Sequence, residues 1–156
     1  MPSDWTLRIN RIKYFTAFCA IIDILKLNPC LVRGIFMLNN LSIGTDIEEN
    51  SRFSNKSLEK DRKFLERIFT AQEIEYCFSN TNPSPHLCAR FCAKEAITKA
   101  LEEFQIKDVY YSDIEILKHE TGAPYVIIKK YPNLDIKLSM SHCKNYSTAT
   151  AIISNK

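Results

Sequence analysis

A single long helical pattern lies between strand-like segments of this sequence, and this order constrains the fold more than any other feature. The helical segment, residues 87–104, has its apolar side chains at Leu87, Phe91, Ile97, Leu101 and Phe104. Apolar residues that recur at this spacing predict a helix with one buried face. Strands arranged around one long helix predict an α+β fold, in which an antiparallel sheet packs around that helix.

The other predicted elements are short and closely spaced. Strands are predicted over residues 41–48, 112–118, 124–130, 135–141 and 148–154. Two shorter helices are predicted over residues 60–69 and 71–78, and a polar loop that contains prolines is predicted over 80–85. Thr70 and Glu73 form a capping-box pattern at the start of the second helix, since each side chain can accept a hydrogen bond from the other residue's free amide. Gly122 marks a turn between two of the strands.

Composition indicates one globular domain with no strong charge bias. The chain has 156 residues, of which 46% are hydrophobic and 25% charged, and this length is enough to bury a core. The net charge of +3 arises in residues 1–36, where five basic side chains outnumber two acidic ones, and the remaining 16 basic and 16 acidic residues cancel. A nucleic-acid-binding surface needs clustered basic residues, so the domain is not predicted to bind nucleic acid.

The six cysteines are predicted to be reduced thiols of a cytoplasmic protein. An even number of cysteines in a short chain indicates disulfides only in a secretory context, and no Cys-x-x-Cys pair occurs. Cys88 and Cys92 lie four residues apart on the predicted long helix, which leaves open a zinc site with His86 or Cys143. Zinc ligands at such spacing normally need a second matched pair, so small buried side chains are the favoured interpretation.

The first 36 residues leave three interpretations open. Residues 14–27 are mostly apolar, but Asp23 interrupts them, and the run is shorter than the ~20 residues of a membrane-spanning helix. The favoured interpretation is a translated upstream stretch, with the domain occupying residues 37–156 and beginning at Met37. The others are a targeting segment and an amphipathic helix on the domain or on a membrane surface. The last would make the chain a membrane-associated interaction protein, although the domain itself is not predicted to bind a membrane.

Two segments carry side chains that suit magnesium and phosphate. Asp46 ends an apolar strand just after Gly44, and Glu95 and Lys99 lie one turn apart on the long helix. Magnesium prefers hard oxygen ligands and is often held by one or two carboxylates together with substrate phosphates. Taken singly, these features have ordinary explanations, with Asp46 as a solvated strand end and Glu95 paired with Lys99 on the helix surface.

A third segment ends a predicted strand with Ser141 and His142. Neighbouring residues of a strand point to opposite faces, so these two side chains cannot form a nucleophile and base pair directly. A serine hydrolase is therefore not favoured.

A family resemblance follows from the order and spacing of residues 43–49, 90–96 and 138–142. These segments resemble the holo-acyl-carrier-protein synthases, the small phosphopantetheinyl transferases. The resemblance runs from about Met37 to Ser154 and takes in residues 64–70, 113–116 and 122–125. It implies the phosphopantetheinyl transferase fold and, as in small bacterial members, a homotrimer with active sites between protomers. The resemblance implies a role in fatty acid biosynthesis, and the sequence leaves open which carrier protein is modified and whether fatty acid or other carriers are served.

The resemblance implies a role for each candidate residue. Magnesium would be bound by Asp46 and Glu95, and Lys99 would contact the phosphates, so these three would form the catalytic group. The residues implied to bind coenzyme A are Arg90, Lys99, Gly122, Pro124, Ser141 and His142. Of these, Gly122 and Pro124 belong to a turn that shapes the nucleotide-binding wall.

The implied reaction transfers the 4'-phosphopantetheine arm of coenzyme A to a serine hydroxyl of apo-acyl carrier protein and leaves 3',5'-ADP. Such transfers depend on positioning and charge neutralisation. The base that accepts the hydroxyl proton stays open, and Glu95 acting through a metal-bound water is the first choice. Glu49 matches a further acidic position, where it would hold such a water or lie in solvent. A catalytically idle coenzyme A-binding module is the alternative, and it would have lost one of the two acids.

Basic residues that follow Asp46 are implied to dock the carrier protein, because acyl carrier proteins are strongly acidic. The implied docking residues, expected on the helix after that strand, are Arg52, Lys60, Lys63 and Arg67. Glu59, Asp61 and Glu66 dilute this charge, so an ordinary solvated helix face is the alternative.

Overall fold

The computed structural model describes residues 40–155, so the interpretations of residues 1–36 lie outside the described residues and stay predictions. Within this range the strands are β1 (Leu41–Glu49), β2 (Ile114–Lys118), β3 (Pro124–Ile128), β4 (Leu134–His142) and β5 (Tyr146–Asn155). The helices are α1 (Leu58–Ile68), α2 (Ala71–Phe78) and α3 (Pro83–Glu103). Short 3-10 helices occupy Asn50–Phe53 and Tyr111–Asp113.

Two antiparallel sheets accompany the long helix α3. The larger sheet has the strand order β1-β5-β4, and the smaller one pairs β2 with β3. The predicted α+β class, with antiparallel strands around one long helix, is therefore confirmed. The register places Asp46 of β1 opposite Ala149 of β5. Ser147 of β5 lies between His142 of β4 and Glu48 of β1, and it pairs with both. Since side chains alternate along a strand, Asp46 and His142 lie on the same face of the larger sheet.

Small residues allow α3 to lie close against β1. A Cβ atom on Gly44 would lie 2.0 Å from the backbone oxygen of Ala96 and 2.9 Å from the backbone nitrogen of Ala100. Ser42 reinforces this approach, because its hydroxyl donates to the carbonyl of Ala100 at 2.7 Å. Only a glycine fits at this position, and the close packing brings Asp46, two residues further along β1, within reach of α3.

α3 begins at Pro83, four residues before its predicted start, so the prediction of a loop over 80–85 is wrong in its second half. The side chain of Asn82 caps the helix by accepting a hydrogen bond from the amide two residues later at 3.3 Å. Proline suits the first helical position, since no intrahelical partner is needed there and its fixed φ matches the helix. The early start adds His86 to the helix, one turn before Arg90.

Three other elements, α1, β2 and β5, begin two residues away from their predicted starts, and β5 begins early, at Tyr146. α1 begins early, because Ser57 caps it by accepting a hydrogen bond from the amide of Lys60 at 3.3 Å. β2 begins late, because the 3-10 helix Tyr111–Asp113 precedes it and Asp113 accepts a hydrogen bond from the amide of Tyr110 at 2.9 Å.

The predicted capping box of α2 is confirmed, and its glutamate has a second role. Thr70 accepts from the amide of Glu73 at 3.4 Å, and Glu73 accepts from the amide of Thr70 at 2.8 Å. The Glu73 carboxylate is also fully buried and accepts from the amide of Ile116 at 3.0 Å. It forms a 2.8 Å ion pair with Lys94, which is fully buried too. This pair joins α2, α3 and β2.

Lys94 has two further acceptors, one in the 3-10 helix before β2 and one at the first residue of β2. Its ammonium group donates to the backbone oxygen of Tyr111 at 2.8 Å and to that of Ile114. Burial lowers the pKa of Lys94, and the Glu73 carboxylate opposes this change. The buried charge is thus held by an ion pair and two carbonyl groups, which is how proteins compensate a desolvated ammonium.

The face of the larger sheet that turns away from α3 carries exposed apolar side chains. Ile43 and Ile47 of β1 are 68% and 67% exposed. Tyr146 and Ile152 of β5 are also exposed and share this face by their register with β1. Contiguous exposed apolar surface commonly marks a contact site, so this face, called the outer sheet face below, is a candidate contact surface.

Candidate functional site

Asp46, Glu95 and Lys99 lie together where β1 packs on α3. Lys99 Nζ donates to Asp46 Oδ1 at 2.8 Å and to the backbone oxygen of Thr45 at 3.1 Å. The hydrogen bond to Asp46 raises the pKa of Lys99, and the nearby Glu95 carboxylate raises it further. Lys99 therefore connects α3 to β1, whereas the ordinary helix-surface interpretation would pair it with Glu95 alone.

Glu95 is held by a residue that the sequence analysis did not identify. Tyr111 Oη donates to Glu95 Oε1 at 2.6 Å. Burial, together with this hydrogen bond, raises the pKa of Tyr111 to about 12, so the phenol keeps its proton and donates at neutral pH. Tyr111 lies 16 residues from Glu95 in the chain, and no motif or spacing in the sequence signals the contact.

The donor set at this position fits a magnesium ion that is shared with a substrate. Asp46 accepts the hydrogen bond from Lys99 through Oδ1, and Glu95 accepts the hydrogen bond from Tyr111 through Oε1. Each of these two bonds therefore uses one oxygen of its carboxylate. Within residues 40–155, no group of three or more His, Cys, Asp or Glu side chains is arranged to hold a metal ion. Magnesium does not need such a group, because one or two carboxylates and substrate phosphates commonly complete its shell with water. Two carboxylates beside a lysine are therefore a suitable half of such a site.

A second cluster surrounds Arg90 on another side of α3. The Arg90 side chain is buried, its guanidinium lies 4.2 Å from the ring centre of Tyr76, and its Nε has no hydrogen-bond partner among the described residues. Lys118 Nζ donates to the Tyr76 hydroxyl at 2.7 Å. Arg90 Nη1 donates to the backbone oxygen of His86 at 3.4 Å, but no carboxylate within residues 40–155 pairs with the guanidinium, so this arrangement favours binding of an anion. Tyr76, Arg90, Lys118 and Tyr125 line a cleft of about 270 Å³ here.

Two histidines border the Arg90 cluster. The rings of His86 and His142 lie 5.9 Å apart, and His86 also packs edge-on against Tyr76 at 5.8 Å. Burial lowers the pKa of His86, and His142, Arg90 and Lys118 lower it further. The cluster thus gathers several groups that can bind phosphate, and of these only Arg90 and His142 were predicted.

His86 and Lys118 were missed for physical reasons. The predicted loop over 80–85 placed His86 near a helix end, whereas the true helix places it one turn before Arg90. Lys118 ends β2, and its contact with Tyr76 of α2 depends on how the smaller sheet packs on the helices. A correct helix start would have identified the first residue, but no sequence pattern identifies the second.

The two clusters lie on different sides of α3. A helix turns about 100° per residue, so Arg90 and Glu95, five residues apart, differ by about 140° around the axis. Glu95 and Lys99 accompany β1, whereas Arg90 and the buried Lys94 accompany α2 and β2. Within one chain, the carboxylate cluster (Asp46, Glu95 and Lys99) and the Arg90 cluster therefore lie apart.

The remaining predicted cofactor residues occupy turns and strand ends. Gly122 has φ 86° in the turn between β2 and β3, a conformation that favours glycine. Pro124 opens β3 opposite Lys118, and its neighbour Tyr125 lines the cleft at Arg90. Ser141 is exposed on the outer sheet face, opposite to the face that carries His142. The structure therefore brings the Pro124 turn and His142 towards the Arg90 cluster, and Ser141 points elsewhere within this chain.

Glu49 and the cysteines have local contacts. Glu49 is exposed and accepts a hydrogen bond from the Ser51 hydroxyl at 3.0 Å. The thiol of Cys92 donates to the backbone oxygen of Ser147 at 3.3 Å, and that of Cys88 donates to the backbone oxygen of Glu48 at 3.7 Å. Both cysteines are buried, and their contacts are those of packing side chains.

The predicted docking residues do not all lie on α1. Lys60, Lys63 and Arg67 are exposed on that helix, as predicted. Arg52 instead lies in the preceding 3-10 helix, where it pairs with Glu48 and its guanidinium lies 4.4 Å from the ring centre of Phe91. The prediction that the helix after Asp46 carries Arg52 is therefore wrong, because the chain first makes a separate turn at Asn50–Phe53.

Comparisons with known proteins assign this domain to one family. The model of the 4'-phosphopantetheinyl transferase superfamily matches residues 42–151. A holo-[acyl-carrier-protein] synthase of Chlamydia caviae is 44% identical over 114 residues, which cover 70% of this chain and 93% of that protein. A synthase of the same name from Protochlamydia amoebophila is 38% identical over 120 residues, which cover 74% of this chain and 98% of that protein.

Solved structures agree with the sequence matches. A holo-(acyl-carrier-protein) synthase of Bacillus anthracis in complex with CoA (3',5'-ADP) is 30% identical with a TM-score of 0.62, and the match covers 74% of this chain and 96% of that one. A holo-[acyl-carrier-protein] synthase of Helicobacter pylori in complex with coenzyme A is 30% identical with a TM-score of 0.61, and the match covers 72% and 99% of the two chains.

Proposed function

Since this chain belongs to the 4'-phosphopantetheinyl transferase superfamily, we propose that it is a holo-acyl-carrier-protein synthase. It transfers the 4'-phosphopantetheine arm of coenzyme A to a serine hydroxyl of apo-acyl carrier protein. The observation that carries the proposal is the meeting of Asp46, Glu95 and Lys99 between β1 and α3 in a chain of this family. Mass spectrometry of a carrier protein incubated with this chain and coenzyme A tests it.

The transfer exchanges one phosphorus–oxygen bond for another. The serine oxygen bonds to the phosphorus that carries the pantetheine arm, the pyrophosphate bond to that phosphorus breaks, and 3',5'-ADP leaves with the electron pair. Asp46 and Glu95 would hold Mg²⁺, which when bound supplies charge neutralisation at the pyrophosphate. Lys99 is half exposed, so its ammonium can move from Asp46 towards the leaving phosphate and stabilise the charge that develops there.

The serine proton must be accepted by a base near the carboxylate cluster. Glu95 is the candidate base, acting through a bound water, and its Oε1 accepts the hydrogen bond from Tyr111. Proton transfer of this kind requires heavy atoms within about 2.6–3.2 Å or one intervening water.

The Arg90 cluster would hold phosphate groups of coenzyme A. A phosphate matches the planar guanidinium of Arg90, whose Nε has no partner among residues 40–155, and the nearby Lys118 and His142 add charge or hydrogen bonds. The adjacent Pro124 turn then forms part of the wall of the nucleotide site. A coenzyme A phosphate would then be the anionic partner of the buried Arg90 guanidinium, with which no carboxylate within residues 40–155 pairs.

We also propose that the chain acts as a homotrimer with active sites between protomers. The carboxylate cluster and the Arg90 cluster lie on different sides of α3, so a second copy can supply the phosphate-binding half that one copy does not present beside Asp46. The outer sheet face, with Ile43 and Ile47 exposed, provides an apolar surface for the contact. Homo-oligomers normally have closed symmetry, which a trimer satisfies.

A charged residue on the outer sheet face is expected to disrupt this assembly. Replacement of Ile43 by lysine would place a charge in the proposed contact, so we expect the mass measured by light scattering to fall from three chains to one. Ile127→Lys is the matched control, because Ile127 is an exposed isoleucine of β3 in the other sheet and its replacement should leave the mass unchanged. A wild-type protein that is monomeric at micromolar concentration would contradict the trimer.

The basic surface of α1 is proposed to dock the acidic carrier protein. Lys63 and Arg67 are exposed one turn apart, and the nearby Glu66 is paired with Arg62 at 2.9 Å, which reduces the opposing charge. Long-range attraction acts mainly on the rate of encounter and weakens as salt rises. Arg52, held by Glu48 and Phe91, would add to the same surface from the preceding turn.

Charge reversal on α1 should affect one substrate only. The variant Lys63→Glu with Arg67→Glu is expected to raise the KM for carrier protein about tenfold and to leave the KM for coenzyme A unchanged. The control variant reverses two exposed lysines outside α1, Lys107 and Lys129, and should behave like the wild type. Equal changes in both constants, or no change in either, would place the docking surface elsewhere.

We propose the cytoplasm as the compartment and fatty acid biosynthesis as the process. All four cysteines within residues 40–155 are free thiols, which suits a reducing compartment. In the same range, no helix combines the length and the apolar character that crossing a membrane requires. The membrane-associated alternative depends on residues 1–36 alone. The catalytically idle alternative is disfavoured, because both carboxylates and Lys99 are brought together.

A further inference from the structure

Tyr111 connects the Glu95 carboxylate to the buried centre of the domain. Its hydroxyl donates to Glu95 Oε1 at 2.6 Å, and its backbone oxygen accepts from Lys94 Nζ at 2.8 Å. Lys94 is in turn fixed by the fully buried ion pair with Glu73. A chain of polar contacts therefore runs from α2 through Lys94 and Tyr111 to the carboxylate.

The Tyr111 ring is also fixed by packing. It meets the ring of Phe91 edge-on, with ring centres 5.9 Å apart and planes at 71°. Phe91 is buried on α3, one turn before Glu95. The helix that carries the Glu95 carboxylate therefore also holds the Tyr111 ring in place. The hydroxyl therefore has little freedom to move away from Glu95.

A restrained carboxylate is a better metal ligand than a mobile one. A glutamate side chain has three rotatable bonds, and binding of a metal must otherwise remove that freedom. Partners that orient metal ligands typically change metal affinity by 10–100-fold when they are removed. Here the phenol donates to Oε1, so Oε2 is the Glu95 oxygen that remains for a cation shared with Asp46.

We propose that Tyr111 is a positioning residue that fixes the Glu95 carboxylate for binding of a divalent cation. The proposal rests on the magnesium site proposed above, and it adds a residue to that site. Tyr111 acts through Glu95 and does not itself contact the substrate. Its loss should therefore weaken metal binding while the reaction at saturating metal is largely retained.

The test is titration of the full-length protein, saturated with coenzyme A, with Mn²⁺, with free Mn²⁺ measured by electron paramagnetic resonance and corrected for Mn²⁺ bound by coenzyme A without protein. Tyr111→Phe keeps the ring and is expected to weaken Mn²⁺ binding 10–100-fold. Tyr131→Phe is the matched control, because Tyr131 also donates to a carboxylate, Asp108, at 2.5 Å, but on the exposed surface. It should bind Mn²⁺ like the wild type.

Enzyme kinetics supply a second readout for Tyr111→Phe. The Mg²⁺ concentration for half-maximal transfer should rise by a similar factor, while kcat at saturating Mg²⁺ and the KM for coenzyme A stay within about threefold of the wild type. A thermal unfolding curve close to that of the wild type verifies that the variant is folded.

Two outcomes would overturn the proposal in distinguishable ways. If Tyr111→Phe binds Mn²⁺ as tightly as the wild type while Asp46→Ala does not bind it, the metal site stands and the positioning role fails. If the wild type and Asp46→Ala bind Mn²⁺ alike, the magnesium site itself fails, and the role of Tyr111 fails with it.

Discussion

Alanine in place of Asp46 or of Glu95 is expected to lower the transfer rate by at least two to three orders of magnitude. Each substitution removes one of the two carboxylates proposed to hold magnesium, and the charge stabilisation supplied by a bound metal is worth several kcal/mol. The fold should persist, because Asp46 pairs with Lys99, which is half exposed, and the hydrogen-bond partner of the Glu95 carboxylate within residues 40–155 is a single phenol. The turnover number is measured at saturating Mg²⁺ and coenzyme A.

Two comparisons make this result specific. Glu102→Ala removes an exposed glutamate near the end of the same helix and should retain wild-type turnover. Thermal unfolding of Asp46→Ala and Glu95→Ala should resemble that of the wild type, so a lost activity cannot be ascribed to a lost fold. Near-wild-type turnover by either alanine variant would rule out the proposed site.

Replacement of Lys94 by methionine should destabilise the protein by about 3–5 kcal/mol, the usual cost of breaking a buried ion pair from one side. The substitution leaves the Glu73 carboxylate fully buried without its cation, and two backbone carbonyls, those of Tyr111 and Ile114, lose their donor. The free energy of unfolding is measured by urea denaturation at one fixed protein concentration, because assembly would otherwise change the apparent stability.

A surface ion pair and a double variant serve as references. Lys130→Met breaks the exposed pair with Asp108 and should cost at most about 1 kcal/mol. Adding Glu73→Gln to Lys94→Met removes the isolated charge and should recover part of the loss. A loss below about 1 kcal/mol for Lys94→Met alone would mean that the buried pair contributes little to the fold.

Local patterns predicted much of the architecture. The capping box of Thr70 and Glu73 depends on four consecutive residues, and α2 begins where that pattern places it. The predicted start of α3 is wrong, because proline generally favours loops, whereas Pro83 lies at the first helical position, which favours proline. Neighbouring residues thus suffice to predict whether most segments form a helix or a strand. To predict where a helix begins, the capping residues must also be recognised.

Contacts between residues far apart in the chain are harder to predict from the sequence. Asp46, Glu95 and Lys99 were selected by resemblance, but the hydrogen bond between Asp46 and Lys99 spans 53 residues and depends on the close approach at Gly44. The contact between Tyr111 and Glu95 depends on the 3-10 helix before β2 and on the packing of that helix against α3. The hydrophobic periodicity of a sequence does not reveal such contacts, because they form only when separate elements pack together.

The most direct measurement of the proposed function is the mass of an apo-acyl carrier protein after incubation with this chain, coenzyme A and Mg²⁺. The carrier should gain the mass of one 4'-phosphopantetheine arm, and 3',5'-ADP should appear in equal amount. Chelation of the metal, or alanine in place of the acceptor serine of the carrier, should prevent the gain. An unchanged mass, with folded protein and a carrier that a known synthase does modify, would contradict the proposal.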